Sequence, residues 1–182
     1  LSKEAIKRNK KIPVHLKIDT GMGRTGFMAE NSVSAAALIS DMEGIELAGV
    51  LSHFPEADSE DKSASIRQIE VFNNVRISLQ DKTGRKLIAH MSNSAALLSL
   101  RAGLLDAVRP GLSLYGYSPF PESYGLIPIM KIKSKILALR KLPAGTPVGY
   151  GRSFIAKRES KIAVVPVGYA DGYGVILSNQ GE

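Results

Sequence analysis

The chain contains no cysteine, which excludes a disulfide framework and any thiolate metal site. Aromatic residues amount to only 6%. With the lysines scattered along the chain, no stacking platform for nucleic acid is evident, despite a net charge of +7. The 24 basic residues outnumber the 17 acidic ones, and they read as a solvated surface plus a few cations aimed at an anionic ligand. No apolar run approaches the ~20 residues that span a bilayer. The N-terminal residues do not form a signal peptide, because Lys3, Lys7, Arg8, Lys10 and Lys11 lead into a short strand instead. Low-complexity segments and fixed-period repeats are missing too. A soluble, cytoplasmic protein without nucleic-acid or membrane partners is the expectation. What remains is ordinary globular material: 182 residues, 44% hydrophobic and 23% charged, enough for one domain or one and a half.

One stretch organises the chain: Val14-His15-Leu16-Lys17-Ile18-Asp19-Thr20-Gly21-Met22-Gly23-Arg24-Thr25-Gly26-Phe27. Its first half is an apolar run broken by His15 and Lys17, short enough for a buried strand. Its second half holds three glycines in six positions, so the backbone there turns tightly or approaches something closely. Arg24 sits within that turn. A charged side chain on permissive backbone, at the end of a buried strand, is where α/β proteins place chemistry.

The same arrangement returns three times. Residues 1–11 read as the end of a helix, stopped by Pro13, and 14–18 as a strand. Asn31 or Ser32 caps a helix to about residue 40. Residues 45–51 form the next strand. Asp58 to Lys62 opens a longer helix, with Ile66, Ile69, Phe72, Val75 and Leu79 at helical spacing and Gly84 as its stop. Residues 87–90 read as strand, 93–101 as helix and 107–109 as a short strand. Such strand–helix alternation predicts a parallel sheet. Around residues 118–122 the texture changes. Beyond it, 129–139, 146–150 and 161–167 are β-branched segments separated by Pro and Gly, without a convincing helix. A boundary near 120–127 therefore separates residues 1–122 from an all-β second domain at 123–182.

Each predicted strand of the first domain ends in polar residues: Lys17 and Arg24, His53, Asn93 and Ser94, Arg109 and Gly111. The C-terminal strand ends are the catalytic face of a barrel, so their convergence points to a site. Gly21-Met22-Gly23-Arg24-Thr25-Gly26 formally satisfies the G-x-G-x-x-G dinucleotide pattern, and Glu43 and Glu46 lie near the spacing of a ribose-binding acid. That pattern requires the helix to begin within the glycines, whereas Phe27-Met28-Ala29-Glu30 intervene; nicotinamide binding is the remote alternative. Gly111-Leu112-Ser113-Leu114-Tyr115 lacks the last glycine of a nucleophile elbow. His53 and Asp58 offer too few ligands for a metal.

The organising stretch resembles the alanine racemase family, pyridoxal-phosphate enzymes built from a barrel and a β-domain. The likeness continues through Leu51-Ser52-His53-Phe54, His90-Met91-Ser92-Asn93-Ser94, Val108-Arg109-Pro110-Gly111, Gly149-Tyr150-Gly151 and Val167-Gly168-Tyr169-Ala170-Asp171-Gly172, in the family's order. It implies an α/β fold, the C-terminal half of a (β/α)8 TIM-type barrel followed by the start of an all-β domain. The family's cofactor lysine lies in an earlier segment with no equivalent here. The resemblance therefore implies a central fragment that is inactive by itself.

The resemblance also implies roles. Arg109 donates to the pyridine nitrogen of pyridoxal 5'-phosphate. Ser94, Asn93, Gly111 and Leu112 surround its phosphate. Tyr150 is one of two bases acting on opposite faces of the alanine α-carbon, with His53 beside it and linked onward to Arg109 at the cofactor. Arg24 orients the phenol and the substrate carboxylate, and Lys17 matches a lysine that many members carbamylate. Tyr169 and Asp58 resemble residues of the substrate corridor, although Pro55-Glu56 differs from the small residues expected there. Tyr150 enters the partner subunit's site, so a homodimer is implied. The implied activity interconverts L- and D-alanine, supplying D-alanine for peptidoglycan. A serine or broad-specificity racemase of the same fold, or a non-catalytic truncated module, are the alternatives.

Overall fold

The computed structural model describes residues 1–180 and divides into two compact units, Leu1–Ile129 and Met130–Glu182. In the first unit a short helix α1 (Ser2–Lys7) precedes strand β1 (Ile12–Asp19). A two-residue strand β2 (Phe27–Met28) follows the glycine turn, then α2 (Ser32–Ser40), β3 (Ile45–Leu51), α3 (Ser63–Thr83), β4 (Ile88–His90) and α4 (Ser94–Ser99). The sheet order is β2-β1-β3-β4, with every pairing parallel. The crossovers through α2 and α3 return β3 and β4 in the direction of β1, as the alternation predicts, whereas β2 is reached from β1 by the glycine turn alone.

Burial follows from the two periods. Leu16 and Ile18 of β1, Leu47 and Val50 of β3 and Ala89 of β4 form one face of the core, against Ala35 and Ala36 of α2 and Ile69, Phe72, Val75 and Leu79 of α3. Ile66, expected on that face, is 46% exposed. At about 100° per residue, two steps of three carry it some 120° away from Phe72. Ser65 and Gln68 take the buried positions of that turn instead.

The boundaries differ locally, for identifiable reasons. The long helix starts at Ser63, not at 58–62, because the Asp61 carboxylate holds the Ser63 N–H at 2.8 Å. It ends as expected at Gly84, which adopts φ 63°. Asn31 occupies the cap position of α2 without a side-chain bond, and the Ser32 hydroxyl donates back to the Ala29 carbonyl at 2.6 Å. The helix expected over 93–101 breaks at Leu100 and resumes as a 3-10 turn, Arg101–Gly103. The strand expected at 107–109 reduces to one bridge between His90 and Ala107. There the Asp106 carboxylate accepts the Ala89 N–H at 2.9 Å in place of a ladder carbonyl, and Pro110 has no N–H to continue the pairing.

The second unit is β-rich. β5 (Ala138–Leu142) pairs antiparallel with β8 (Ser160–Val164), and β6 (Pro147–Val148) with β7 (Phe154–Ile155). The strand expected from 129 pairs only from Ala138, and the one expected to 167 stops at Val164, before Pro166. Among the described residues this unit has no α-helix, only 3-10 turns such as Tyr150–Arg152 and Tyr169–Asp171. No described helix in either unit is long and apolar enough to cross a membrane.

Candidate active site

The turn after β1 is held from within. The Asp19 carboxylate accepts the N–H groups of Gly21, Met22 and Gly23 at 2.9, 2.9 and 3.1 Å. These bonds, that of Gly21 foremost, lower the Asp19 pKa. Gly26, at φ 113°, has no room for a side chain, since a Cβ would lie 2.9 Å from the Lys17 carbonyl oxygen. Three of the N–H groups a dinucleotide fingerprint would offer to pyrophosphate are thus already bound, and α2 begins only at Ser32. This geometry overturns the nicotinamide alternative. Lys17 Nζ donates to the Thr25 carbonyl and hydroxyl at 2.7 and 2.8 Å. Its ammonium is tied to the turn, while Arg24 is exposed.

Arg109 stands at the centre of the strand ends. One terminal guanidinium nitrogen donates to His90 Nδ1 and, at 3.1 Å, to the His90 carbonyl. The other donates to the Ser52 carbonyl and, at 3.3 Å in each case, to His53 Nδ1 and the Met91 carbonyl. A guanidinium only donates, so both imidazoles present a lone pair at Nδ1 and carry their proton on Nε2. His90 Nε2 in turn lies 2.6 Å from His15 Nδ1 and donates to it. Burial, then the Arg109 charge, then His15, push the His90 pKa down to about 4. Burial and Arg109, with Arg24 and Lys17 adding to them, lower that of His53. Both rings are therefore neutral at pH 7. Arg109 Nε–H has no acceptor among the described residues and remains free for a ligand.

A second corner forms beside it. Ser94 Oγ accepts the Ser113 N–H at 3.1 Å. The Gly111 and Leu112 N–H groups donate to no described acceptor, and Ser113 Oγ is buried without a partner. Unclaimed N–H groups on a tight turn beside unclaimed hydroxyls make an anion cradle. Asn93, at the start of α4, is held by two bonds of its own. Its Oδ1 caps α4 by accepting the Ala96 N–H at 3.0 Å, and its Nδ2 donates to the Phe54 carbonyl at 3.1 Å.

The structure thus brings Arg109, His53 and Ser94 with Gly111 and Leu112 into one strand-end region of the first unit. Asp58 lies exposed in the loop after β3. Tyr150 belongs to the second unit, 91% exposed between Gly149 (φ 74°) and Gly151 (φ 68°). Tyr169 opens a 3-10 turn there and is 59% exposed. No group of three or more His, Cys, Asp or Glu side chains among the described residues could hold a metal.

Sequence reasoning misses His15, His90 and Ser113 as site residues. The first two interrupt otherwise apolar strands, which is the available signal. Their meeting depends on the register that sets His15 opposite Gly49 and Leu51 opposite His90. A Cβ on Gly49 would lie 2.6 Å from the His15 ring and 2.5 Å from the Ile88 carbonyl oxygen. That glycine makes room for the pair.

Residues 1–119 match the family model for the alanine racemase N-terminal domain, and residues 129–182 match that for the C-terminal domain. An alanine racemase of Thermodesulfovibrio yellowstonii is 45% identical over the whole chain, which covers 48% of that relative. The alanine racemase structure from Clostridium difficile 630 superposes with a TM-score of 0.83 at 36% identity, over 96% of this chain and 47% of that one. The Bartonella henselae enzyme, solved with covalently bound pyridoxal phosphate, gives 0.75 at 31% identity, over 99% of this chain and 49% of its own. The chain spans about half the length of the curated relatives it matches. The first unit is accordingly part of a (β/α)8-type barrel and the second part of the β-domain. The chain belongs to the alanine racemase family.

Proposed function

We propose that this chain is the portion of a cytoplasmic, pyridoxal-phosphate-dependent alanine racemase that holds the cofactor's ring nitrogen and phosphate and contributes one of two proton-transfer bases. The observation that carries the reading is the Arg109 guanidinium. Its terminal nitrogens are consumed by two neutral histidines and backbone carbonyls, which leaves Nε–H as a fixed donor. The residues fit the cofactor: a donor for a ring nitrogen at Arg109, and an anion cradle at Ser94, Gly111, Leu112 and Ser113.

When bound, pyridoxal phosphate supplies an electron sink for a carbanion at the substrate α-carbon. Arg109, protonated throughout, donates to the pyridine nitrogen without transferring a proton and so restrains that sink. Ser94 and the Gly111 and Leu112 N–H groups hold the phosphate. Tyr150 moves the proton on one face of the α-carbon. A phenol has a pKa near 10 and needs help to act as a base at neutral pH. His53, neutral with its proton on Nε2, is the group proposed to assist it. Arg24 receives the substrate carboxylate, and Tyr169 and Asp58 line the corridor. A carbamate on Lys17 would replace its cation with an anion able to align Arg24. Tyr150 serves the partner subunit's site, so the working form is a homodimer.

The test is the full-length protein carrying this segment, supplied with pyridoxal phosphate. Cofactor absorbance retained through gel filtration, with conversion of L-alanine to D-alanine, is the expected result. Serine racemised faster than alanine would move the substrate to the broader-specificity reading. No retained cofactor and no racemisation would overturn the proposal. The 182-residue chain alone is expected to give neither.

A further inference from the structure

We propose that Gln68 is a positioning residue for His53: its amide, projecting from the buried face of α3, ties the loops after β1 and β3 together and thereby sets where the His53 ring meets Arg109. The proposal rests on the alanine racemase reading for the use of His53, but not for the geometry. Gln68 is 5% exposed, on the buried face of α3 between Ser65 and the apolar stripe that begins at Ile69. Its Nε2 lies 3.3 Å from Thr20 Oγ1, just after β1, and 3.4 Å from the His53 carbonyl, just after β3. A carbonyl only accepts, so the amide is oriented with its NH2 group toward both loops. Thr20 Oγ1 is also 2.7 Å from Ser52 Oγ, and the Ser52 carbonyl accepts from Arg109. One amide therefore reaches both sides of the residue pair that Arg109 grips.

His53 is consequently held at two points. Arg109 holds its ring nitrogen, and Gln68 holds its backbone oxygen. Fixing both leaves the Nε2–H with one direction. The amide packs closely on the glycine turn, where a Cβ at Gly21 would lie 3.2 Å from Gln68 Nε2. The arrangement does not serve stability well. Gln68 Oε1 is buried with no partner among the described residues, an orphan that an apolar side chain of similar length would avoid. What the amide provides, and a leucine does not, is direction.

The experiment uses the full-length protein with Gln68→Leu and Gln68→Glu, the latter keeping size but not the donor. In the cofactor-free form, 15N spectra of His53 are expected to show an acceptor Nδ1 in the wild type and a mixture of tautomers in both variants. In the loaded enzyme kcat is expected to fall about tenfold or more, with KM for alanine within about twofold, as for a misaligned catalytic group. His53 signals and kcat unchanged in both variants would overturn the proposal. If neither variant folds, Thr20→Val removes one of the two tethered ends. A smaller tautomer shift in the same sense then supports the proposal, and none overturns it. A wild-type protein that fails to racemise alanine would sink the functional reading, while the His53 spectra would still decide the role of Gln68.

Discussion

The two units bury their apolar residues to very different degrees. In the first, Ile18, Val50, Phe54, Phe72 and Leu79 are essentially inaccessible, and the helices cover one face of the sheet. In the second, Leu142 and Ala156 are the buried apolar residues among those described, while Ile132, Leu137, Leu139, Val164 and Val165 stay exposed. A βα repeat carries its own cover, because each crossover helix returns over the strands it joins. A two-stranded ribbon has none, and is marginally stable alone. The polar residues follow suit. Arg109 is immobilised by backbone carbonyls and two imidazoles, whereas Tyr150 stands on a glycine-flanked turn in open space. Activity and stability should therefore be coupled in the first unit and separable in the second.

The largest effect tests the coupled side. Arg109→Leu in the full-length protein strands the acceptors of His90, His53, Ser52 and Met91 together. Racemisation should fall by about a thousandfold, and unfolding free energy by roughly 2–4 kcal/mol, as expected for a lost electrostatic donor and several orphaned buried acceptors. Arg109→Lys, with a point charge in place of a planar fork, should recover only part of either. Steady-state kinetics beside urea denaturation would show it; a variant that keeps its stability would break the comparison.

Tyr150→Phe tests the separable side. Loss of a general base should cost about a hundredfold in rate, with α-proton exchange from one enantiomer hit harder than from the other. Stability should stay within about 0.5 kcal/mol, since the hydroxyl that is removed makes no hydrogen bond to any described residue of its own unit. Equal, minor losses of exchange from both enantiomers would remove Tyr150 from the mechanism.

A smaller effect is expected from Gly49→Ala, which adds a methyl group where His15 and the Ile88 carbonyl already crowd. About 1–3 kcal/mol should be lost to overpacking, and 15N spectra should show His90 released from His15. An unperturbed pair of histidines would mean that the strands yield more easily than their burial suggests.

The mildest change is Asp19→Asn, which keeps an acceptor for the glycine turn and removes its charge. About 1 kcal/mol should be lost at neutral pH. Asp19 has its pKa lowered in the fold, chiefly by the Gly21 N–H. Its stabilisation is thus present above the ordinary carboxylate value of 3.8 and disappears as pH falls through the lowered one. Denaturation curves of the two proteins should accordingly converge in acid; a gap that persists there would point to packing rather than charge.

Most of the first unit was legible along the chain. Strands near 14–18 and 45–51, the apolar stripe from Ile69 to Leu79 and the Gly84 stop all follow from short-range spacing. So did the polar strand ends, since Arg109, His53 and Ser94 each interrupt or follow an apolar run. The buried polar residues were not legible in the same way. Gln68 and Ser65 are hidden by a count in threes that drifts off a 3.6-residue period, and Ile66 is misplaced by the same drift. In the second unit, β6 and β8 were readable from β-branched residues, but β5, which has none, was expected too early, and β7 was not expected at all, because a ribbon's ends depend on its partner.

The sequence by itself determined the alternation of strand and helix, the glycine turn after β1 and the residue types available at each strand end. These depend on neighbours a few positions apart, through backbone permissiveness and hydrophobic period. Only the tertiary structure decided that Arg109 would spend its terminal nitrogens on His90 and His53, that His15 would lean over Gly49 to meet His90, and that Asn93 would hold the Phe54 carbonyl. Those outcomes join residues tens of positions apart. They are set by parallel register and by the rule that buried donors and acceptors find each other, and neither is written in local spacing.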